Sequence, residues 1–166
     1  MDKADAEHAE DTLSPQEWRK EHSITVQGHG TERNQDVPDP FHNFSDAPFE
    51  DRLQTALMRA GFSKPTPIQA QTWPIALQNK DVISIAKTGS GKTCGFLLPA
   101  FHQHMMTHGS RVRQGKPSLL VLAPTRELSV QIMEEAQKFG RPIGMRSIVR
   151  ALRACSRALF TSTKRR

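Results

Sequence analysis

The sequence predicts an α/β fold in which a parallel sheet is flanked by helices. Two apolar runs, Asp81-Val82-Ile83-Ser84-Ile85 and Ser118-Leu119-Leu120-Val121-Leu122-Ala123, read as short buried strands. Each is followed by a stretch of helical spacing, and strands alternating with helices imply parallel βαβ units. Between the first strand and its helix lies a glycine-rich turn, Ala86-Lys87-Thr88-Gly89-Ser90-Gly91-Lys92-Thr93. In open α/β sheets, ligands bind where loops leave the C-terminal ends of strands.

Taken in order, residues 1–12 are small and acidic and read as disordered. Ser14-Pro15-Gln16-Glu17 is a capping box with proline at the first helical position. A short helix near 15–21 follows, then the extended Ser23-Ile24-Thr25-Val26. Residues 27–40 hold Gly28, Gly30, Pro38 and Pro40 and predict an irregular connector. Apolar residues at 49, 53, 56, 57 and 60 predict a helix closed by Gly61. Thr66-Pro67 opens a helix to about Gln78, with Pro74 a kink. The helix after the glycine-rich turn runs to about Thr107, and 108–117 is a polar basic connector. Pro124-Thr125 opens a helix ending at Phe139-Gly140, and 145–149 is a candidate third strand.

With 166 residues, the chain is long enough for one domain with a real core. Its two cysteines, Cys94 and Cys155, give no disulfide framework, and a reducing compartment is the default. No run reaches the roughly 18 apolar residues of a membrane span. The acidic start Met1-Asp2-Lys3-Ala4-Asp5 lacks the apolar region of a secretory signal. An intracellular protein, of nucleus or cytoplasm, is the expectation. The net charge of +6 is unevenly placed: after Glu135 there are nine basic residues and no acid. Such a basic end suits nucleic acid, or is a solvated tail.

Strand, glycine-rich turn and helix together form the setting of a phosphate-binding loop. N–H groups of the turn and of the following helix can point at phosphate oxygens. Lys92 would reach the β- and γ-phosphates, and the Thr93 hydroxyl would ligate Mg²⁺. The general pattern is met except at its first position, where Ala86 replaces glycine. A chance Gly/Ser turn is the alternative. Other candidates read as structural. His102, His104 and His108 suggest helix-surface histidines rather than a metal site. Cys94 reads as a small core residue, and Glu134 and Glu135 as solvated.

Further segments line up with this loop. Gly61-Phe62-Ser63-Lys64-Pro65-Thr66-Pro67-Ile68-Gln69 resembles the Q motif of the DEAD-box RNA helicases, and Phe44 occupies the upstream aromatic position, seventeen residues before Gly61. Ala-x-Thr-Gly-Ser-Gly-Lys-Thr at 86–93 resembles that family's phosphate loop, and Pro124-Thr125-Arg126-Glu127-Leu128 its motif Ia. The flank Glu17-x-Arg19 … Ile24-Thr25-Val26-x-Gly28 is similar to the N-terminal extension of a nuclear-type subgroup. The resemblance implies an incomplete RecA-like domain over 41–149, an extension over 1–40 and a divergent basic tail over 150–166. It implies ATP and Mg²⁺ as cofactors and RNA as partner. ATP would be held by Phe44, Gly61, Lys64, Gln69, Thr88, Gly89, Ser90, Gly91, Lys92 and Thr93. Lys92 and Thr93 would be the catalytic pair, and Pro124, Thr125 and Arg126 would touch the RNA backbone.

The side-chain chemistry is compatible with these roles. An amide such as Gln69 can pair with adenine N6–H₂ and N7 together, although a surface helix position is the alternative. Phe44 would stack on adenine, or serve as a core aromatic. Thr125 and Arg126 at a helix N-terminus suit a phosphate, or else simple capping by Thr125 with Arg126 in solvent. The family's Asp-Glu-Ala-Asp stretch does not occur in this sequence, so ATP binding without hydrolysis is expected of this chain. From Val149 the sequence leaves the family pattern, as a frameshift or aberrant splice would make it, or as a genuine variant tail. There, Leu152, Cys155 and Leu159 suggest one face of a short basic helix. A non-catalytic ATP- and RNA-binding module, an unstable fragment and a different phosphate-loop enzyme are the competing readings.

Overall fold

The computed structural model describes residues 13–28, 37–108, 117–151 and 158–164. In chain order its elements are helices α1 (Pro15–Glu21), α2 (Asp51–Arg59), α3 (Pro67–Leu77) and α4 (Lys92–His108), strand β1 (Leu119–Ala123), helix α5 (Arg126–Gly140), and strands β2 (Met145–Ala151) and β3 (Ala158–Lys164). Short 3₁₀ turns lie at Phe44–Asp46 and Arg141–Ile143. The chain forms two compact units, residues 1–47 with 64–92, and residues 48–63 with 93–166.

In the first unit the N-terminal extension is built onto α3. The capping box at Ser14 is present: Glu17 N donates to Ser14 Oγ at 3.3 Å, and Ser14 N donates to Glu17 Oε2 at 3.0 Å. Bonds from Ser14 hold the Glu17 carboxyl below its ordinary range. Helix α1 buries Trp18, whose ring meets His22 at 4.4 Å and His42 edge-on at 5.6 Å. One turn of side chains then reaches α3. Arg19 Nε donates to Gln71 Oε1 at 2.7 Å, and Arg19 Nη2 and Gln71 Nε2 both donate to Pro38 O, at 3.0 and 3.1 Å. The two bonds from the Arg19 guanidinium are charge-assisted and contribute roughly 1.5–3 kcal/mol each. Phe41 N adds a backbone bond to Ala70 O at 2.9 Å. Helix α3 stops at Asn79, which takes φ +59° while the Asn79 and Lys80 amides close back on Ala76 and Ile75.

The second unit has a helical layer over a small sheet. Helix α2 buries Leu53, Ala56 and Leu57, the predicted face. Gly61, at φ +82°, ends it by sending the Gly61 and Phe62 amides back to Met58 and Leu57. Helix α4 buries Leu97, Leu98 and Phe101, and α5 buries Ile132, Ala136 and Phe139. The Phe62 and Phe139 rings lie 6.3 Å apart, with the Lys138 ammonium 5.4 and 5.3 Å from their centroids. Helix α5 packs on β1 and β2. Ala123, Met145 and Ser147 are buried, while Leu120, Leu122 and Ile148 remain exposed.

Three expectations change. The α/β class holds, and β1 and β2 run parallel as a βαβ crossover requires. Between them, however, lies β3, antiparallel to both, with Ala123 and Ala151 each opposite Ala158. The expected helical face at Leu159 is therefore a strand. Thr161 and Thr163 favour the pleated backbone, and Leu152 and Cys155 lie outside the described residues. Second, Val82–Ala86 is not a buried strand: it pairs with no strand among the described residues, and Ile83 and Ile85 are exposed. Its β-branched pattern encodes fitness for a sheet, but the sheet built here does not include it. Third, Glu135 is half-buried rather than solvated. His102 is half-buried against Phe49, ring centroids 5.9 Å apart, and burial pushes its pKa down. Among the described residues no group of three metal-ligating side chains forms. No described helix is long and apolar enough to cross a membrane. The disorder expected over 1–12, the centre of the 27–40 connector and most of 108–117 lie outside the described residues.

Buried Ser147 Oγ finds no hydrogen-bond partner among the described residues. An unsatisfied buried hydroxyl costs about 1–3 kcal/mol. Ser147→Ala should therefore raise the urea midpoint at unchanged slope, by about 1 kcal/mol in unfolding free energy. A destabilised variant would show that Ser147 Oγ is paired.

Candidate functional site

The glycine-rich turn follows an irregular stretch that begins after α3, and α4 begins at Lys92. Gly89 and Gly91 take φ of +78° and +88°, the left-handed region that side chains avoid. Gly91 is constrained twice over. A Cβ there would lie 2.5 Å from Gln69 Nε2 and 2.9 Å from Thr66 Oγ1. The reason for this crowding is a pair of hydrogen bonds. Thr66 Oγ1 donates to Ser90 O at 2.9 Å, and Gln69 Nε2 donates to Gly91 O at 3.1 Å. The N-terminal turn of α3 is thereby fastened to the turn's backbone.

Gln69 is 2% exposed, so it is not a surface helix residue. Its Oε1 accepts from Thr66 N at 3.1 Å, which completes the cap of α3. Each end of the amide thus already has one protein partner, leaving one proton and one lone pair. Phe44 sits half-buried in its 3₁₀ turn, with its ring centroid 6.0 Å from Trp73. Lys64 is exposed near the start of α3, and Gly61 serves as the stop of α2.

The Lys92 ammonium bridges the carbonyls of Ala86 and Lys87 and comes within 3.5 Å of Ser90 Oγ. Thr88 and Gly89 are exposed. Among the described residues, the Thr88, Gly89 and Gly91 amides donate to no acceptor. A turn with unpaired N–H groups and one ammonium is a site for an anion with several oxygens. The residues present therefore fit a polyphosphate. Thr93 is the second residue of α4 and is partly exposed.

Pro124, Thr125 and Arg126 are exposed at the start of α5. Thr125 caps the helix, accepting from Leu128 N at 3.2 Å, while Ser129 Oγ donates to Thr125 O at 2.9 Å. The capping alternative for the Thr125 side chain is thus realised, and the Arg126 guanidinium stands in solvent.

Two contributors escaped the sequence. Thr66 was legible as a cap, but not that its hydroxyl also donates to Ser90 O. Only the close approach required of Gly91 signals this, and that needs the fold. The Arg19–Gln71 pair spans 52 positions and has no local signal.

Cys94, just past the turn, is buried and donates from Sγ to Glu135 Oε2 at 3.7 Å. Burial, then the Glu135 charge and that hydrogen bond, push its thiol from 9.0 up to about 12, against a smaller lowering by Lys138. The folded state therefore keeps a proton that the unfolded state loses above pH 9, so this group reduces stability as pH rises from 9 toward 12. Alkylation of Cys94 by iodoacetamide in the folded chain should be negligible at pH 9 and rapid in urea. Peptide mass spectrometry at Cys94 reads the result, and fast labelling of the folded chain would contradict it.

Comparison with known proteins agrees with this geometry. The DEAD/DEAH box helicase family matches residues 66–160. The chain is 53% identical over 133 residues to DEAD-box ATP-dependent RNA helicase 40 of Oryza sativa, covering 80% of this chain and 16% of that protein. It is 50% identical over 130 residues to DEAD-box ATP-dependent RNA helicase 14 of Arabidopsis thaliana, covering 78% and 20%. The chain thus spans about a fifth or less of the length of these relatives. Its fold is similar to the RNA-helicase Prp28 of Chaetomium thermophilum, solved bound to ADP, with TM-score 0.69 and 36% identity over 84% of this chain and 34% of that one. The incomplete RecA-like reading is thereby supported. Since the match takes in more than half of the residues and runs through the α3 cap, the glycine-rich turn and the start of α5, the chain belongs to the DEAD/DEAH box helicase family.

Proposed function

We propose that this chain is the ATP-holding part of an ATP-dependent RNA helicase, and that by itself it binds Mg²⁺-ATP without turning it over. The observation that carries this is the fastening of α3 to the glycine-rich turn by Thr66 and Gln69. This fastening supports a reading in which Gln69 meets a base while the turn holds the phosphates. Lys92 leaves the Ala86 and Lys87 carbonyls for the β- and γ-phosphate oxygens, and the unpaired amides of Thr88, Gly89 and Gly91 take others. Thr93 supplies a hydroxyl for Mg²⁺. Gln69 offers its remaining proton and lone pair to adenine, Phe44 its ring, and Gly61 and Lys64 border the same motif. The related Prp28 helicase was solved with ADP, which supports the ligand class. Hydrolysis needs acids that hold the metal and position water, and the sequence contains no Asp-Glu-Ala-Asp stretch.

Pro124, Thr125 and Arg126 bind the RNA backbone. The dipole and first-turn N–H groups of α5 attract a phosphate, and Arg126 adds a mobile cation. Such contacts hold a strand without reading it. One observation favours a different role for Gln69: both ends of its amide are already engaged. In that reading it is a latch for the turn, and base preference comes from elsewhere.

Isothermal titration separates these. Lys92→Ala should weaken Mg²⁺-ATP binding by about 100-fold, the loss of charge-assisted bonds. Gln69→Ala should weaken it by about tenfold. If Gln69 reads adenine, ATP binds more tightly than GTP and the variant loses that preference. Equal affinities in the wild type assign Gln69 to the latch alone. Unchanged binding in Lys92→Ala would remove the nucleotide reading.

For RNA, Arg126→Ala should weaken binding to any single strand uniformly. It should also reduce the slope of log affinity against log salt by about 0.7, one phosphate contact. An unchanged slope would take Arg126 out of the interface.

A further inference from the structure

Phe44, the ring offered to adenine, stands on no α-helix or strand. Its 3₁₀ turn, Phe44–Asp46, is only three residues long, and such turns have poor hydrogen-bond geometry of their own. Side chains outside the turn hold the segment that carries it. Asp46 Oδ2 accepts from His42 N and Asn43 N, both at 2.8 Å, and so closes the turn from within. Further back, Phe41 N donates to Ala70 O at 2.9 Å. The His42 ring meets the buried Trp18 ring of α1 edge-on at 5.6 Å. At the start of the segment, Pro38 O accepts from Arg19 Nη2 at 3.0 Å and from Gln71 Nε2 at 3.1 Å. Arg19 spends its Nε on Gln71 Oε1 at 2.7 Å, so one planar guanidinium ties α1, α3 and the approach to Phe44 together.

We propose that Arg19 is a positioning residue for the base end of the nucleotide site, holding through Pro38 the segment from which Phe44 reaches the base. This rests on the nucleotide reading above. A ring that is already ordered loses little freedom when a base stacks on it. A ring on a released segment has to be ordered by the ligand, and affinity falls. Gln71 also belongs to α3, so freeing it slackens α3 and takes a smaller toll on the phosphates. The loss of Arg19 therefore falls mainly on the base, whereas a general loss of structure would fall on base and phosphates alike.

Titration calorimetry of the full 166-residue chain separates the two, using Mg²⁺-ATP against Mg²⁺ with inorganic tripolyphosphate, which has the phosphates and no base. Arg19→Met should weaken ATP about tenfold, on the scale of one base stack, and tripolyphosphate by less than about threefold. Arg19→Met alone leaves the buried Gln71 amide short of a partner. The double variant Arg19→Met with Gln71→Leu replaces both polar groups, so it should keep a urea midpoint near that of the wild type and show the same unequal losses. In a Phe44→Ala chain, where the stack is already gone, Arg19→Met should weaken ATP no more than tripolyphosphate. Equal losses for the two ligands in both Arg19 variants would overturn the proposal and leave the nucleotide reading standing. So would a full tenfold loss of ATP affinity on adding Arg19→Met to Phe44→Ala. A wild-type chain that binds neither ligand would overturn both.

Discussion

Two hydrogen bonds, from Thr66 Oγ1 to Ser90 O and from Gln69 Nε2 to Gly91 O, fix where the glycine-rich turn lies. They act on backbone carbonyls, so they constrain the path of the chain rather than one side chain. They also explain why Gly91 has to be glycine. Its positive φ already disfavours a side chain, and the approach of Gln69 and Thr66 leaves no room for one. Gln69 can serve as a fastener only because its own position is fixed by the Thr66 amide. The cap that starts α3 and the clamp that holds the turn are therefore the same two residues.

The clamp is only as rigid as α3, and α3 is braced on its other flank by the N-terminal extension. Gln71, two residues from Gln69, is buried and shared between Arg19 and the Pro38 carbonyl. A buried amide left without these partners would cost about 1–3 kcal/mol. Truncating Arg19 would therefore weaken α3 through Gln71. Phe41 and Ala70 add a backbone link in the same place. The extension thus braces the glycine-rich turn through α3, and none of its described residues bonds to the turn itself.

Features set by neighbours in sequence were legible, and features set by distant partners were not. The Ser14 box, the Gly61 stop, the buried face of α2 and the Thr125 cap all depend on residues within about four positions, where periodicity and capping rules apply. The glycines and Lys92 of the turn were legible for the same reason. The environment of Val82–Ala86 was not, since a β-branched run states a preference but names no partner. Nor was β3, where Thr161 and Thr163 outweighed a three-residue helical pattern. The chemistry of Gln69 led to an expectation of base reading. That both ends of its amide would also be spent inside the protein needed the positions of Ser90 and Gly91.

The unpaired run and the clamp bear on each other through Lys92. Among the described residues no strand pairs with Val82–Ala86, and the turn that follows is held from the α3 side by the Thr66 and Gln69 bonds. The Lys92 ammonium closes the gap by bridging Ala86 and Lys87, the last residue of the run and the first of the turn. A phosphate that takes Lys92 removes this bridge. The turn must then rely on the Ser90 and Gly91 bonds and on the ligand itself. In the proposed reading, phosphate binding and loop order are thus coupled through the Ala86 and Lys87 carbonyls, of which Lys87 O also accepts from Ser90 N at 3.4 Å.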